Sequence, residues 1–105
     1  GITANTIGVG YSSYWDGFNG SRTLDFRTAN TGIVFGTATL DINYTYQKVG
    51  PREGRVNATA NDPNYGTVES SYVLHFLTAT SGYYLGVETF SNGVVETEWG
   101  TFTIY

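Results

Sequence analysis

From Ala38 to Gln47 the chain alternates without a miss: Ala38, Leu40, Ile42, Tyr44 and Tyr46 fall on one side, and Thr39, Asp41, Asn43, Thr45 and Gln47 on the other. A period of 2 with a polar opposite face specifies a half-buried antiparallel strand. Such a strand lies over a core that other strands must complete, and the rest of the chain reads as those strands. Leu40, Ile42 and Tyr44 are therefore expected to be more buried than Asp41 and Asn43.

With 105 residues the chain reads as one domain, residues 1–105, able to bury a modest core without staples. It contains no cysteine, so no disulfide holds it. Thr, Gly, Tyr, Asn and Ser dominate, the composition of pleated surfaces joined by turns. A formal net charge of −4 argues against nucleic acid, because phosphate binding needs clustered Lys and Arg. No run reaches the length of a membrane-spanning helix and no signal peptide is expected. Beginning at Gly1, the chain is expected to be a processed or recombinant form. Little charge, abundant Thr and Tyr, and no Cys or Met point to a secreted or cell-surface protein.

In chain order, Ile7, Val9, Tyr11 and Trp15 share one face of a first strand, and Asp16–Ser21 forms a turn with two glycines. A second strand carries Leu24 and Phe26 inward, with Thr23, Asp25 and Arg27 outward. In the long run that follows, the apolar positions are odd at Ile33 and Phe35 but even from Ala38. A switch of phase at Gly36 predicts a bulge or bend, and the run counts as one bent strand or two. Val56, Ala58 and Ala60 line a short strand after the turn at residues 49–54. Val68, Tyr72, Leu74 and Phe76 face one way in the next, and Val73, His75 and Leu77 the other, so that strand is expected to be covered on two sides. Ser91-Asn92-Gly93 is a hairpin signal before the last strand. There the phase again switches, from Val95 and Trp99 to Phe102 and Ile104, predicting a second bend at Gly100. No helix longer than a turn and no repeat is read. The expected fold is all-β: a single antiparallel meander of seven to eight strands closing as a small barrel. A two-sheet β-sandwich is the alternative.

Few constellations carry chemistry. His75 is the one histidine and has no evident nucleophile partner, so ordinary packing on a strand face is expected. One His and no Cys exclude a zinc site of usual spacing, and no metal or other cofactor is expected. Glu96 and Glu98 share a strand face and Glu88 lies across the hairpin. Paired carboxylates can act as glycosidase acid and base, but a solvated outer face opposite Val95 and Trp99 is the expected reading. Asp16 with Asn19, and Asn61 with Asp62 and Asn64, form oxygen-rich loops that turn chemistry explains. Sequons stand at Asn19, Asn43 and Asn57. Aromatic residues cluster around the first turn and again at Tyr83, Tyr84 and Trp99, where a barrel mouth could hold a sugar or a small apolar ligand.

The stretch Trp15-Asp16-Gly17-Phe18-Asn19-Gly20-Ser21 resembles the first hairpin of calycin-type barrels, the lipocalins and avidins. Leu24, Phe26, Thr31-Gly32 and Gly36-Thr37 continue the resemblance, and Gly86, Asn92-Gly93 and Trp99 are similar to the family's penultimate hairpin. The resemblance implies a ligand-holding barrel, with Trp15 at its closed end and Ser21 near a cavity.

The first functional expectation is a secreted, non-catalytic binding module for a small apolar or glycan ligand. Tyr11, Trp15, Ser21, Tyr44, Tyr72 and Trp99 are its expected ligand-binding residues. The alternative is a structural subunit of an extracellular filament or adhesin, whose residues 1–14 add as a strand to other copies of itself. An enzyme would rest only on the carboxylates and His75, and none is expected.

Overall fold

The computed structural model describes residues 2–11, 20–35 and 39–105; for 3–11, 20–23 and 35 it describes the backbone alone. Eight strands follow in order: β1 (Ile2–Tyr11), β2 (Gly20–Phe26), β3 (Thr31–Phe35), β4 (Leu40–Gly50), β5 (Glu53–Asp62), β6 (Gly66–Phe76), β7 (Ser81–Phe90) and β8 (Val95–Ile104). Each pairs antiparallel with the next, and β8 pairs back onto β1, so the meander closes as a barrel rather than splitting into a sandwich. Closure satisfies the backbone groups that an open sheet would leave at its edges. Among the described residues no helix is long and apolar enough to cross a membrane.

Alternation decides what lies inside. On β4, Ile42 and Tyr44 are buried and Leu40 half-buried, whereas Asp41 and Asn43 are exposed, as the sequence predicts. Ile2, Ile42, Tyr44, Val56, Leu74, Tyr84 and Phe102 form the core, with Leu24, Phe26, Val34, Ala58, Ala60, Tyr72, Phe76 and Ile104 against it. Phe26 stacks on Tyr44 at 4.2 Å, and the Tyr44 hydroxyl donates to the Thr28 carbonyl at 2.6 Å, tying β4 to the β2–β3 turn.

That turn is used twice. Leu24, Phe26, Thr28, Ala29 and Gly32 recur as Leu74, Phe76, Thr78, Ala79 and Gly82, at a constant spacing of 50 residues. This is a repeat that the sequence reading misses. Thr28 bonds Thr31 hydroxyl to hydroxyl at 2.6 Å, and Thr78 bonds Ser81 in the same way at 2.6 Å. The backbone N–H groups of residues 27 and 28 converge on the Thr31 carbonyl, and those of 77 and 78 on the Ser81 carbonyl. Glycine follows each turn because a Cβ at Gly32 or Gly82 would run into the carbonyl of Asp25 or His75. Both turns stand at one end of the barrel, here the lower end, with the β4–β5 turn between them. At the upper end the predicted hairpin at Ser91-Asn92-Gly93 forms, with Gly93 at φ 89°, a conformation that disfavours a side chain.

The change of phase expected at Gly100 is absent, and of the one expected at Gly36 only the odd inner face before it can be compared. Val34, not Ile33, packs on the core, and Ile33 pairs with Asp25 and Asp41 on the outer face. Val34 and Leu40 are register partners, so the even positions stay inside across the hairpin. The run is two antiparallel strands, one of the two readings that the sequence allows. Gly36 lies outside the described residues. On β8, Gly100 pairs regularly with Tyr84, and burial alternates unbroken from Glu96 to Phe102. The irregularity falls on β1, whose register against β8 shifts between Thr6 and Gly8.

Candidate functional site

The inner face of the barrel has two parts. Leu24, Val56, Leu74, Tyr84 and Phe102 fill the lower interior, leaving a cavity of about 30 Å³. That is room for about one water. Toward the upper end the inward positions of β5 and β6 are Ala58, Ala60, Ser70 and Val68, small apart from the valine. Those of β7 and β8 become acidic there. One register row runs Tyr44, Ala58, Ser70, Glu88, Glu96, Tyr11 around the wall.

Glu88, Glu96 and Glu98 retain only 7%, 2% and 2% of their accessible surface. They lie inside, and Val95 and Trp99 lie on the opposite face of β8. This reverses the expected solvated outer face. The cause is the unbroken parity of β8: once Phe102 is in the core, Gly100, Glu98 and Glu96 must follow it inward. Strand β7 enforces the same phase, because Gly82, Tyr84, Gly86 and Glu88 are its buried positions.

Burying a carboxylate costs several kcal/mol unless hydrogen bonds replace its water. Tyr72 supplies one, its hydroxyl donating to Glu88 Oε1 at 2.9 Å. Gly86 makes the space for that ring: a Cβ there would lie 2.6 Å from Tyr72 Cδ1 and 3.3 Å from Glu98 Cγ. Tyr84 meets the same ring edge-on at 6.0 Å. Glu98 lines the small cavity beside Tyr72, so the acidic and apolar sectors meet at these two side chains.

The six residues expected to bind ligand are not all brought together. Tyr44 and Tyr72 are interior. Tyr11 ends β1 in register with Glu96, and Ser21 pairs with Asn5; the side chains of both are outside the description. Trp15 lies outside the described residues. Trp99 is on the outer face, 45% exposed and in register with Leu85, so it cannot share a pocket with Tyr44 and Tyr72. The glutamates are the site residues that the sequence reading placed wrongly. The even parity shared by Gly100, Phe102 and Ile104 was the signal that could have found them.

Of the remaining candidates, Asp16 and Asn19 lie outside the described residues, and His75 and the loop of Asn61, Asp62 and Asn64 behave as ordinary structure. His75 is on the outer face, stacked on Tyr83 at 4.7 Å, with Nδ1 3.7 Å from Glu53 Oε1. Asp62 Oδ1 accepts from the Asn64 N–H at 2.7 Å and caps its own turn. No group of acidic or histidine side chains among the described residues has metal-binding geometry. No protein family, curated protein or solved structure matches this chain.

Proposed function

We propose that the barrel is a non-catalytic binding module whose ligand is a short glycan or similar polyol, held at the upper interior by Glu88, Glu96, Glu98 and Tyr72. The observation that carries this reading is the burial of three carboxylates on two adjacent strands of a chain in which charged residues make up only 13%. Burying a carboxylate carries a desolvation cost that apolar residues would avoid, and we read three such burials on adjacent strands as the mark of a polar ligand. Carboxylate oxygens accept hydrogen bonds from neighbouring sugar hydroxyls. Beside them on β5 and β6, Ala58, Ala60 and Ser70 are small inward side chains. A purely apolar ligand is the weaker choice, because the inward side chains of β7 and β8 toward the upper end are carboxylates rather than apolar groups.

The calycin resemblance agrees with a ligand inside the barrel, and the secreted or cell-surface setting rests on composition. Strand addition is the weaker alternative, because β1 is engaged by both β2 and β8 of its own chain. A specific observation favours one further reading. Glu88 and Glu96 are direct register partners, and carboxyl groups flanking one bond are the apparatus of glycoside hydrolysis.

Titration calorimetry and amide chemical shifts with a panel of mono- and disaccharides test the proposal. Binding should weaken in Glu88→Gln and Tyr72→Phe and persist in Glu69→Gln and Asn57→Ala. The last two line a polar groove of about 600 Å³ on the outer face of β4–β7. Loss of binding in that second pair instead would move the ligand outside, and binding by none of the panel would overturn the glycan assignment. Release of reducing sugar by the wild type but not by Glu96→Gln would replace binding with hydrolysis.

A further inference from the structure

A second site, independent of the first, lies at the lower end of the barrel. Between the β4–β5 turn and the β6–β7 turn runs a groove of about 440 Å³, lined by Tyr46, Lys48, Pro51, Arg52, Phe76 and Leu77 along with the turn backbone. Its floor is aromatic. Tyr46 is an inward position at the strand's end, yet 49% exposed. Its ring covers Gly54, where a Cβ would come within 2.5 Å of the Tyr46 hydroxyl oxygen. Phe76 meets Phe102 edge-on at 5.0 Å, which anchors it to the core, and Leu77 is 62% exposed beside it. The walls are held: the Phe76 N–H donates to the Arg52 carbonyl at 2.8 Å, and the Thr78–Ser81 hydroxyl pair closes the other turn.

Two of the chain's five basic residues, Lys48 and Arg52, line this groove. Among the described residues neither has a carboxylate within ion-pair distance, although the protein carries a net charge of −4. Glu53, next to Arg52 in the chain, has its carboxylate 3.7 Å from His75 instead. Arg27, by contrast, is paired with Asp25 at 2.7 Å. Unpaired cations at the rim of an apolar, aromatic-floored groove are complementary to a molecule with an anionic head and an apolar body.

We propose that this groove binds an amphiphilic carboxylate, an aryl or short alkyl acid. Its head is held by Lys48 and the Arg52 guanidinium, and its body lies against Tyr46, Phe76 and Leu77. The planar fork of Arg52 suits a carboxylate, and Lys48 adds a point charge that a neutral analogue cannot use.

The test titrates the protein with 2-naphthoate and octanoate, and with 2-naphthylmethanol and inorganic phosphate as controls, followed by amide chemical shifts. The carboxylates should shift residues 46–52 and 76–79, and the alcohol and phosphate should bind about tenfold or more weakly. Lys48→Gln/Arg52→Gln alters exposed side chains, and an unchanged spectrum elsewhere confirms its fold. It should lose carboxylate binding by at least about tenfold, whereas Glu88→Gln should leave it unchanged. That last arm keeps failure here distinct from failure of the upper site. Equal binding of acid and alcohol, phosphate binding as tight as naphthoate, full affinity in the double variant, or shifts confined to another face would each overturn the proposal.

Discussion

Gly86→Ala probes the packing that holds the acidic interior together. The added methyl would lie 2.6 and 2.7 Å from Tyr72 Cδ1 and Cε1. Carbon atoms in comfortable contact are about 3.5–4.0 Å apart, so the ring must retreat by about 1 Å. The Tyr72 hydroxyl now stands 2.9 Å from Glu88 Oε1, and a retreat on that scale takes it out of hydrogen-bond range. Overpacking costs about 1–3 kcal/mol, and losing a hydrogen bond to a carboxylate about 1.5–3 kcal/mol. The lower backbone entropy of Ala in a strand returns about 0.5–1 kcal/mol. These terms share one side chain and do not add fully, so the expected net loss is about 2–4 kcal/mol. Urea denaturation of the wild type, Gly86→Ala, Tyr72→Ala and the double variant closes the cycle. With the Tyr72 ring removed, the two shortest contacts of the new methyl disappear and Glu98 Cγ at 3.3 Å remains, so Gly86→Ala should then cost much less. A full penalty in the Tyr72→Ala background, or none in the wild type, would refute the reasoning.

Ile42→Ala removes a buried core side chain of β4 and should cost about 2–5 kcal/mol by denaturant titration; a midpoint equal to wild type would mean that the strand's phase is wrong. Tyr44→Phe keeps the stack on Phe26 but removes the hydrogen bond to the Thr28 carbonyl, for an expected loss of about 0.5–1.5 kcal/mol. Protection of the β2–β3 turn in hydrogen exchange should fall with it, and unchanged protection would show that the hydroxyl does not hold the turn. Deleting residues 1–10 exposes one edge each of β2 and β8, and should destabilise the monomer by more than about 4 kcal/mol. A deleted chain as stable as the parent, or assembly of the parent that the free peptide restores after deletion, would favour strand addition over closure.

Much of the fold was legible because period-2 patterning is local. Leu24 and Phe26, then Ile42 and Tyr44, then Val56, Ala58 and Ala60 each announce their inner face within one strand, and Ser91-Asn92-Gly93 announces its own turn. Short turns between such strands leave few topologies besides a meander. The repeated Thr-Ala turns were also in the sequence, at a spacing that a strand-by-strand reading does not compare.

The phase of β8 is what the sequence alone left ambiguous. Val95, Thr97, Trp99 and Thr101 make one plausible inner face, and Glu96, Glu98, Gly100, Phe102 and Ile104 the other. Local hydropathy favours the first at the strand's start and the second at its end. A bend at Gly100 reconciles them on paper. The tertiary structure chooses one face throughout, because β8 is locked in register with β7 from Ser81–Thr103 to Thr89–Val95. A strand paired on both sides cannot change face without a bulge, and the bulge went to β1. Sequence patterning could therefore determine that the chain is a β-meander with a core of Ile42, Tyr44, Val56 and Phe102. That three glutamates enter that interior was decided by the pairing of β8 along its whole length with β7. Pairing along whole strands outweighs the preference of a few side chains for water, and the tyrosine that supports Glu88 comes from a different strand, sixteen residues away in sequence.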